Sequence, residues 1–246
     1  MIISNVKSIF DKAREMAPKI TLRQVRKRLD MGNIRSTIHR MANAAPSSIA
    51  SRGRGRPREF DLDAALDKAV RVFRERGYHA TSIADLTEAM NLASGSVYKA
   101  FKDKRTVFLA AFDRERERRW EKLQRIIIAA KPARERIRDA LMFQAESSHG
   151  AEGKRGCLIV GTAAELSTFD DEVARRVSSS LRQSETLMVD LIRQGQVDGS
   201  IPDTIDCNAT ARAMLCLQNG MRVVGKTGRS RAEMAAVVDT AMKLLG

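Results

Sequence analysis

The chain has 246 residues and a formal net charge of +14, with only 15 glycines and 5 prolines. This length allows two domains and a sizeable core, and the scarcity of Gly and Pro suits an all-helical protein with short connections. No apolar run is long enough to cross a membrane, and the N-terminus lacks the ordered regions of a signal peptide. The sequence therefore predicts a cytoplasmic protein without a membrane partner.

The three cysteines argue against a disulfide framework. Cys157, Cys207 and Cys216 are odd in number and lack the spacing of metal ligands, so we expect no metal and no cofactor. We interpret them as small buried apolar side chains. Cys157 lies at the N-terminal end of an apolar segment, where a thiolate is favoured, and this leaves a redox or soft-metal sensor open.

Positive charge is concentrated at the N-terminus. Residues 1–58 contain fourteen Lys or Arg and three acids, whereas the other residues contain 30 bases and 27 acids. A basic segment attached to a near-neutral body is typical of proteins that bind nucleic acids.

Residues 1–50 are predicted to be a basic helical extension. Leu22, Val25 and Leu29 share one helical face, residues 31–33 favour a turn, and residues 34–41 suggest a second short helix. This arrangement weakly resembles the N-terminal domain of plasmid KfrA-type DNA-binding proteins, which implies a second helix-turn-helix. The alternatives are a basic extension without that role, or translation that begins at an internal Met such as Met41.

Residues 51–58 form an Arg-rich arm in which Arg alternates with Gly or Pro, a composition that does not support a helix. Such an arm can follow DNA phosphates or place an Arg in a narrow minor groove. We therefore predict DNA contacts from Arg54, Arg56 and Arg58. A solvated linker is the alternative.

Residues 61–76 are predicted to form an amphipathic helix that Asp61 caps and Gly77 ends. Its buried stripe consists of Leu62, Ala65, Leu66, Ala69, Val70 and Phe73.

Residues 81–101 have the pattern of a helix-turn-helix. Ile83, Leu86 and Met90 share one face of a first short helix, which Thr81 or Ser82 can cap. Residues 91–93 have the length of the turn, and residues 94–96 begin a second helix with a small, polar N-terminal end. A helix of this kind fits the DNA major groove.

Six more helices are predicted after this motif, over residues 103–130, 133–147, 156–167, 170–196, 207–226 and 231–245. The segment 148–155 is polar and contains Gly, so we predict a loop. The helix over 156–167 is apolar nearly all round and is predicted to be the central buried helix.

The last two helices carry stripes of small residues suited to close helix contact. The first stripe contains Ala209, Ala213, Leu217, Gly220 and Val224, and the second contains Ala235, Val238, Ala241, Met242 and Leu245. Association with a second copy and an ordinary intramolecular core are both compatible with this pattern, and we favour association.

Residues 54–246 resemble the TetR family of bacterial transcriptional regulators. The resemblance is carried by Gly77-Tyr78, Ala80-Thr81-Ser82, Tyr98-Lys99-Ala100-Phe101, Lys104 and the opening residues 55–61. The turn at Asn91-Leu92-Ala93 departs mildly from the Gly-Val-Ser-like triplets that are commoner there. Asn tolerates the turn conformation that Gly would supply.

The resemblance implies an all-α protein, with a three-helix DNA-binding domain over residues 59–105 and a helical ligand-binding and dimerisation domain over residues 106–246. It implies a homodimer through the last two helices, a palindromic double-stranded DNA operator, and release by an unknown small-molecule effector. The operator contacts would be Thr81, Ser82, Ser94, Gly95, Ser96, Tyr98, Lys99 and Lys104. The pocket would be lined by Phe112, Trp120, Met142, Phe143, Cys157, Met188, Met214 and Met221.

Other functions have weaker support. The histidines His39, His79 and His149 lack catalytic neighbours, and Gly53 and Gly55 belong to a basic arm rather than a phosphate-binding loop, so we predict that the chain is not an enzyme. The alternative to a ligand-released repressor is an architectural or plasmid-maintenance DNA-binding protein without a small-molecule ligand.

Overall fold

The computed structural model describes residues 61–246, and this part of the chain is helical without any strand. The extension over residues 1–50 and the arm with Arg54, Arg56 and Arg58 lie outside the described residues. No helix within residues 61–246 is both long and apolar enough to cross a membrane. The helices are α1 Leu62–Arg76, α2 Ile83–Met90, α3 Ser94–Ala100, α4 Lys104–Ile127, α5 Ala133–Glu146, α6 Gly150–Arg155, α7 Leu158–Glu165, α8 Asp171–Asp198, α9 Cys207–Val224 and α10 Arg231–Ala241. Short 3-10 turns follow α9 and α10.

Helix α1 has the predicted cap and the predicted buried stripe. The Asp61 carboxylate accepts a hydrogen bond from the Ala64 N–H at 3.1 Å, which satisfies one of the free donors of the first turn. Five of the six stripe residues are buried, and Leu62 is half-buried at the edge. The helix ends at Gly77, whose φ of 80° favours glycine.

Two apolar clusters organise the described residues, and α4 contributes to both. We call the first the head core; it joins α1, α2, α3 and the first half of α4 to residues of α7 and α8. The second, the body core, joins the end of α4 to α5, α8, α9 and α10. Helix α4 places Phe108 and Phe112 in the head core and Leu123 and Ile127 in the body core. It therefore connects the two clusters as a single rigid element.

Two predictions for the segment before α8 were wrong. Residues 150–155 form the short helix α6 rather than a loop, because Gly153 allows it to pack against the Ser148 carbonyl. Helix α7 is not a central buried helix, since only Leu158 and Thr162 along it are buried. An apolar composition did not distinguish a buried helix from one whose apolar face is left open.

The predicted stripe on α9 faces solvent, whereas the stripe predicted for α10 faces the interior of the protein. On α9, the stripe Ala209, Ala213, Leu217, Gly220 and Val224 is exposed or half-buried. On α10, most of the predicted stripe (Val238, Ala241, Met242 and Leu245) is buried in the body core, so its interpretation as an association surface was wrong. The outer side of α10 instead carries Ala236, Val237, Thr240 and Leu244, which line an open groove of about 460 Å³ together with Leu217 and Ala241.

The cysteines are less buried than predicted. All three are free thiols; Cys157 and Cys207 are half-buried, and Cys216 is exposed. The Cys207 thiol donates to the Gln196 side-chain oxygen at 3.1 Å, which explains its partly polar setting.

Among the described glycines, Gly225 leaves the least space for a side chain. A Cβ added there would lie 2.2 Å from the carbonyl oxygen of Ser148. We expect Gly225→Ala to lower the free energy of unfolding by roughly 1–3 kcal/mol, because a backbone atom cannot move aside as a side chain can. Chemical denaturation with urea measures this loss.

Gly161 provides the matched control. It also lies in a helix, but a Cβ added there meets no atom within 4 Å. Gly161→Ala should leave stability unchanged or raise it slightly. Equal stability of the two variants would contradict the contact at Gly225.

Candidate nucleic-acid interface

Helix α2 begins with a capping box formed by Ser82 and Asp85. The Ser82 hydroxyl accepts from the Asp85 N–H at 3.1 Å, and the Asp85 carboxylate accepts from the Ser82 N–H at 2.8 Å. The Ser82 backbone hydrogen bond, its hydroxyl and Arg76 lower the pKa of Asp85 to about 2. Ser82, rather than Thr81, is therefore the cap. The spacing of Ser82 and Asp85 is a capping signal that the sequence reasoning did not use.

The turn between α2 and α3 depends on Asn91. Its φ of 57° and ψ of 49° lie in the left-handed region, and it is the one residue other than Gly with positive φ in the described part of the chain. The Leu92 N–H donates to the Thr87 carbonyl at 3.0 Å and closes the end of α2. The prediction that Asn91 supplies this conformation is confirmed.

Helix α3 presents a small, polar face to solvent. Ser94, Gly95, Tyr98 and Lys99 are exposed, and Ser96 is half-buried. On the opposite side, Val97 and Phe101 enter the head core, as predicted. No side chain caps α3, so neither Ser94 nor Ser96 is occupied as the N-cap.

Gly95 leaves space on the exposed side of α3. A Cβ added at this position would meet no atom within 4 Å, so packing within the described residues does not require glycine there. The smallest side chain at the outer start of the helix allows another molecule to approach its backbone closely.

Besides Ser82 in its capping box, two more of the predicted operator contacts have partners inside the protein. The Thr81 side chain is buried, and its hydroxyl donates to the Gly77 carbonyl at 2.6 Å. The Lys104 ammonium donates to the carbonyls of Tyr78 and Thr81 at 3.1 and 2.9 Å, and it lies 4.4 Å from the centre of the Tyr78 ring. These bonds fix the turn between α1 and α2. The sequence did not predict this structural role for Thr81 and Lys104.

Glu165 holds the same turn from the other side. Its carboxylate accepts the Tyr78 N–H at 3.0 Å and the His79 N–H at 2.8 Å. Glu165 ends α7, far along the chain from the turn, so local sequence patterns carried no signal for the contact. We call residues 77–81 with Lys104 and Glu165 the clamped turn.

Arginine side chains join α1 to α6 and α4 to the start of α8. Arg74 of α1 donates through Nε to the Gly156 carbonyl at 2.9 Å and pairs with Glu152 of α6 at 3.0 Å. Arg105 of α4 binds Asp170 and Glu172 at the start of α8, each at 2.7 Å. The hydrogen bond from Arg105 is the main reason that the pKa of Asp170 falls to about 2.

The predicted pocket residues fall into different places. Phe112 lies in the head core. Met188, Met214 and Met221 are buried in the body core, and Trp120, Met142 and Phe143 pack against that core while remaining partly exposed. Cys157 is half-buried at the start of α7. The structure thus groups six of the eight residues around one core and separates Phe112 from them.

Comparison with known protein families gives two matches along the chain. The family described as "Bacterial regulatory proteins, tetR family" matches residues 65–111, which contain α2, α3 and most of α1. The family described as "Tetracyclin repressor-like, C-terminal domain" matches residues 133–241.

Individual proteins show the same similarity over nearly their whole length. The HTH-type transcriptional repressor ComR of Escherichia coli (strain K12) is 29% identical over 199 residues, which are 80% of this chain and 95% of ComR. The TetR family transcriptional regulator CifR, solved as a cysteine mutant with a 26-base-pair double-stranded operator DNA, is 30% identical. That match covers 78% of this chain and 100% of CifR, with a TM-score of 0.71. A second operator complex of CifR is 32% identical, covers 76% and 98% of the two chains, and has a TM-score of 0.67.

The ion pair between Arg105 and Asp170 makes stability depend on pH. Because the folded pKa of Asp170 is about 2, below its ordinary 3.8, its contribution is present above pH 4 and is lost as the pH falls from about 4 to 2. Asp170→Asn keeps a capping side chain but removes the charge. We expect a melting temperature a few degrees lower at pH 7, and a difference from the unmodified protein that narrows below pH 4.

Asp171→Asn is the control, because Asp171 is exposed on the same helix turn and makes no ion pair within residues 61–246. Thermal melts from pH 2 to 7 should show a profile close to that of the unmodified protein. If Asp170→Asn melts with the same pH dependence as Asp171→Asn, the ion pair does not stabilise the fold.

Proposed function

Because the chain belongs to the TetR family and is a DNA-binding transcriptional regulator, we propose that it is a homodimeric repressor that a small-molecule ligand releases from its operator. The observation that carries the proposal is the polar face of α3, which is exposed while its opposite side is fixed in the head core. A short helix held in this way can enter a major groove without a change in the fold.

Within this proposal, α3 supplies the contacts to bases and nearby phosphates. Ser94, Gly95 and Ser96 lie at its N-terminal end, and Tyr98 and Lys99 follow one turn later. Small side chains discriminate bases less strongly than bidentate Arg contacts, so water and DNA shape would carry much of the specificity. Arg54, Arg56 and Arg58 would add contacts from the arm. Ser82 would act through its capping box at the start of α2. Thr81 and Lys104 would act by fixing the clamped turn.

The homodimer is proposed to form through the outer faces of α9 and α10. The exposed stripe of α9 and the adjoining groove beside α10 make one apolar surface, and its small residues allow close helix contact. A two-fold dimer presents two copies of α3 to a palindromic operator with half-sites in successive major grooves.

Ligand binding is proposed to act through α4. Trp120, Met142 and Phe143 surround the partly open side of the body core, and α4 continues from there to the clamped turn. A ligand that binds one orientation of α4 more tightly would change the separation of the two α3 helices and weaken operator binding. An architectural DNA-binding protein would show no such dependence.

Gly95→Leu tests the DNA-reading role of α3. The added side chain has open space in the protein, so we expect normal folding and at least a tenfold loss of operator affinity, roughly the effect of 1.4 kcal/mol, because the side chain keeps the helix from the groove. DNase footprinting at fixed salt on the region upstream of its own gene measures this affinity.

Gly161→Leu is the matched control, since Gly161 is also helical, exposed and free of close neighbours. It should leave the footprint intact. A footprint that survives Gly95→Leu unchanged would refute the proposed role of α3. A chain that starts at Ser51, footprinted beside the full chain, tests whether residues 1–50 form a second DNA-reading head.

Gly220→Glu tests the proposed dimer surface. Gly220 lies in the exposed stripe of α9 with no atom within 4 Å of an added Cβ, so the substitution should not disturb the protomer. Two carboxylates would meet across the two-fold axis, and we expect a shift from dimer to monomer in analytical ultracentrifugation.

Val197→Glu is the matched control, because Val197 is 91% exposed on α8 and lies outside the stripe. It should remain dimeric. A Gly220→Glu variant with the same sedimentation coefficient as Val197→Glu would place the dimer interface elsewhere.

A further inference from the structure

We propose that Arg222, Gln218 and Arg119 form a buried anion site that binds the carboxylate group of a small effector. The inference rests on the proposed function, because it names the chemical class of the ligand that the repressor would sense. The supporting observation is that buried side-chain nitrogens of α9 lack hydrogen-bond partners among the described residues.

Arg222 of α9 is a buried cation whose bonding is incomplete. It is 3% exposed, and its Nη2 atom donates to the Gly156 carbonyl at 3.0 Å. Its Nε and Nη1 atoms have no partner within residues 61–246. Burial of a guanidinium without an acid is costly, and here burial lowers the pKa of Arg222. An anionic partner would remove this cost.

Gln218 lies one helical turn before Arg222, on the same face of α9. It is 5% exposed, and its Nε2 atom also lacks an acceptor among the described residues. Two neighbouring side chains therefore offer hydrogen-bond donors without acceptors, although buried donors are nearly always bonded.

Arg119 of α4 adds a second positive charge. It donates to the neutral Gln144 and Ser147 side chains at 2.8 and 3.4 Å and lies 5.0 Å from the centre of the Phe143 ring. Its charge acts on Arg222 and lowers the pKa of Arg222 further. In the described part of the chain, neither Arg119 nor Arg222 pairs with a carboxylate, whereas the nearby Arg74 pairs with Glu152.

The Cys157 thiol lies in the electrostatic field of both arginines. Burial raises the pKa of its thiol, but Arg222 and Arg119 outweigh burial and leave the pKa lowered. A single thiol group, ionised or not, cannot balance the charge of two guanidinium groups. A carboxylate supplies a negative charge and two acceptor oxygens, which match the donors of arginine better than a single sulfur atom does.

The site is connected to α1 through one carbonyl group. The Gly156 carbonyl accepts both from Arg222 of α9 at 3.0 Å and from Arg74 of α1 at 2.9 Å. A carboxylate that draws Arg222 away from this carbonyl would change the support of α1. A carboxylate bound at this site can therefore affect the proposed operator-binding helices although it does not contact them.

The test uses the full chain without DNA and three probes: acetate, hexanoate and benzoate. Acetamide, hexanamide and benzamide are their neutral matches, and chloride at equal concentration controls for ionic strength. We expect at least one carboxylate to raise the melting temperature, whereas its amide does not. Arg222→Gln should abolish the response, and Arg212→Gln, on the exposed side of the same helix, should retain it.

Alkylation of Cys157 by iodoacetamide, followed peptide by peptide, gives a second measurement that needs no variant. A bound carboxylate neutralises the field of Arg222, raises the thiol pKa and should slow the reaction by about tenfold per unit of that rise. The exposed Cys216 is the internal reference and should not change.

Carboxylates without effect in both measurements, or amides with equal effect, would overturn the anion site. A carboxylate that binds at Arg222 but leaves the operator footprint unchanged would uphold the site and refute its role in the proposed repressor release. The experiments therefore distinguish failure of the anion site from failure of its proposed role in repressor release.

Discussion

The orientation of α1, α2 and α3 depends on the clamped turn. In this turn a lysine ammonium binds the carbonyl groups, and a glutamate carboxylate binds the N–H groups, of the same backbone segment. Lys104 binds two of its carbonyls, and Glu165 binds two of its N–H groups. These charged hydrogen bonds are directional and partly shielded from water, so they set the angle between α1 and α2 more sharply than apolar packing alone. Because Glu165 belongs to α7, the orientation of α2 and α3 also depends on a helix that lies far from them in the sequence.

The division into two apolar cores explains how such a molecule can transmit a change. Each core is closely packed and resists deformation, and α4 and α8 place residues in both cores. Helix α4 crosses from one core to the other, and the Gly156 carbonyl joins α1 to α9. Under the proposed mechanism, a ligand near Arg222 would act on α3 through such hydrogen bonds, while the packing inside each core stays intact.

Local signals were sufficient for much of the fold. The cap at Asp61, the stripe of α1, the left-handed Asn91 and the inward residues of α3 follow from neighbours within a few positions of one another. The contacts that Lys104 and Glu165 make in the clamped turn, and the arginine contacts, join residues 23 to 87 positions apart, and no spacing rule connects them. Periodicity also shows which residues share a helix face without showing what covers that face. For this reason the stripe on α10 was taken for an association surface, although it packs inside its own chain.

The open space at Gly95 separates what the protein reads from how it folds. Residues that contact DNA in many proteins are also needed for packing, so a change in the sequence they recognise lowers stability. Here the outward positions at the start of α3 bear none of the head core's packing, and Val97 and Phe101 hold the helix from behind. If α3 reads the operator as proposed, mutation at those positions can alter operator preference with little loss of stability. Duplicated copies of such a gene could therefore diverge to new promoters through single substitutions while each intermediate stays folded.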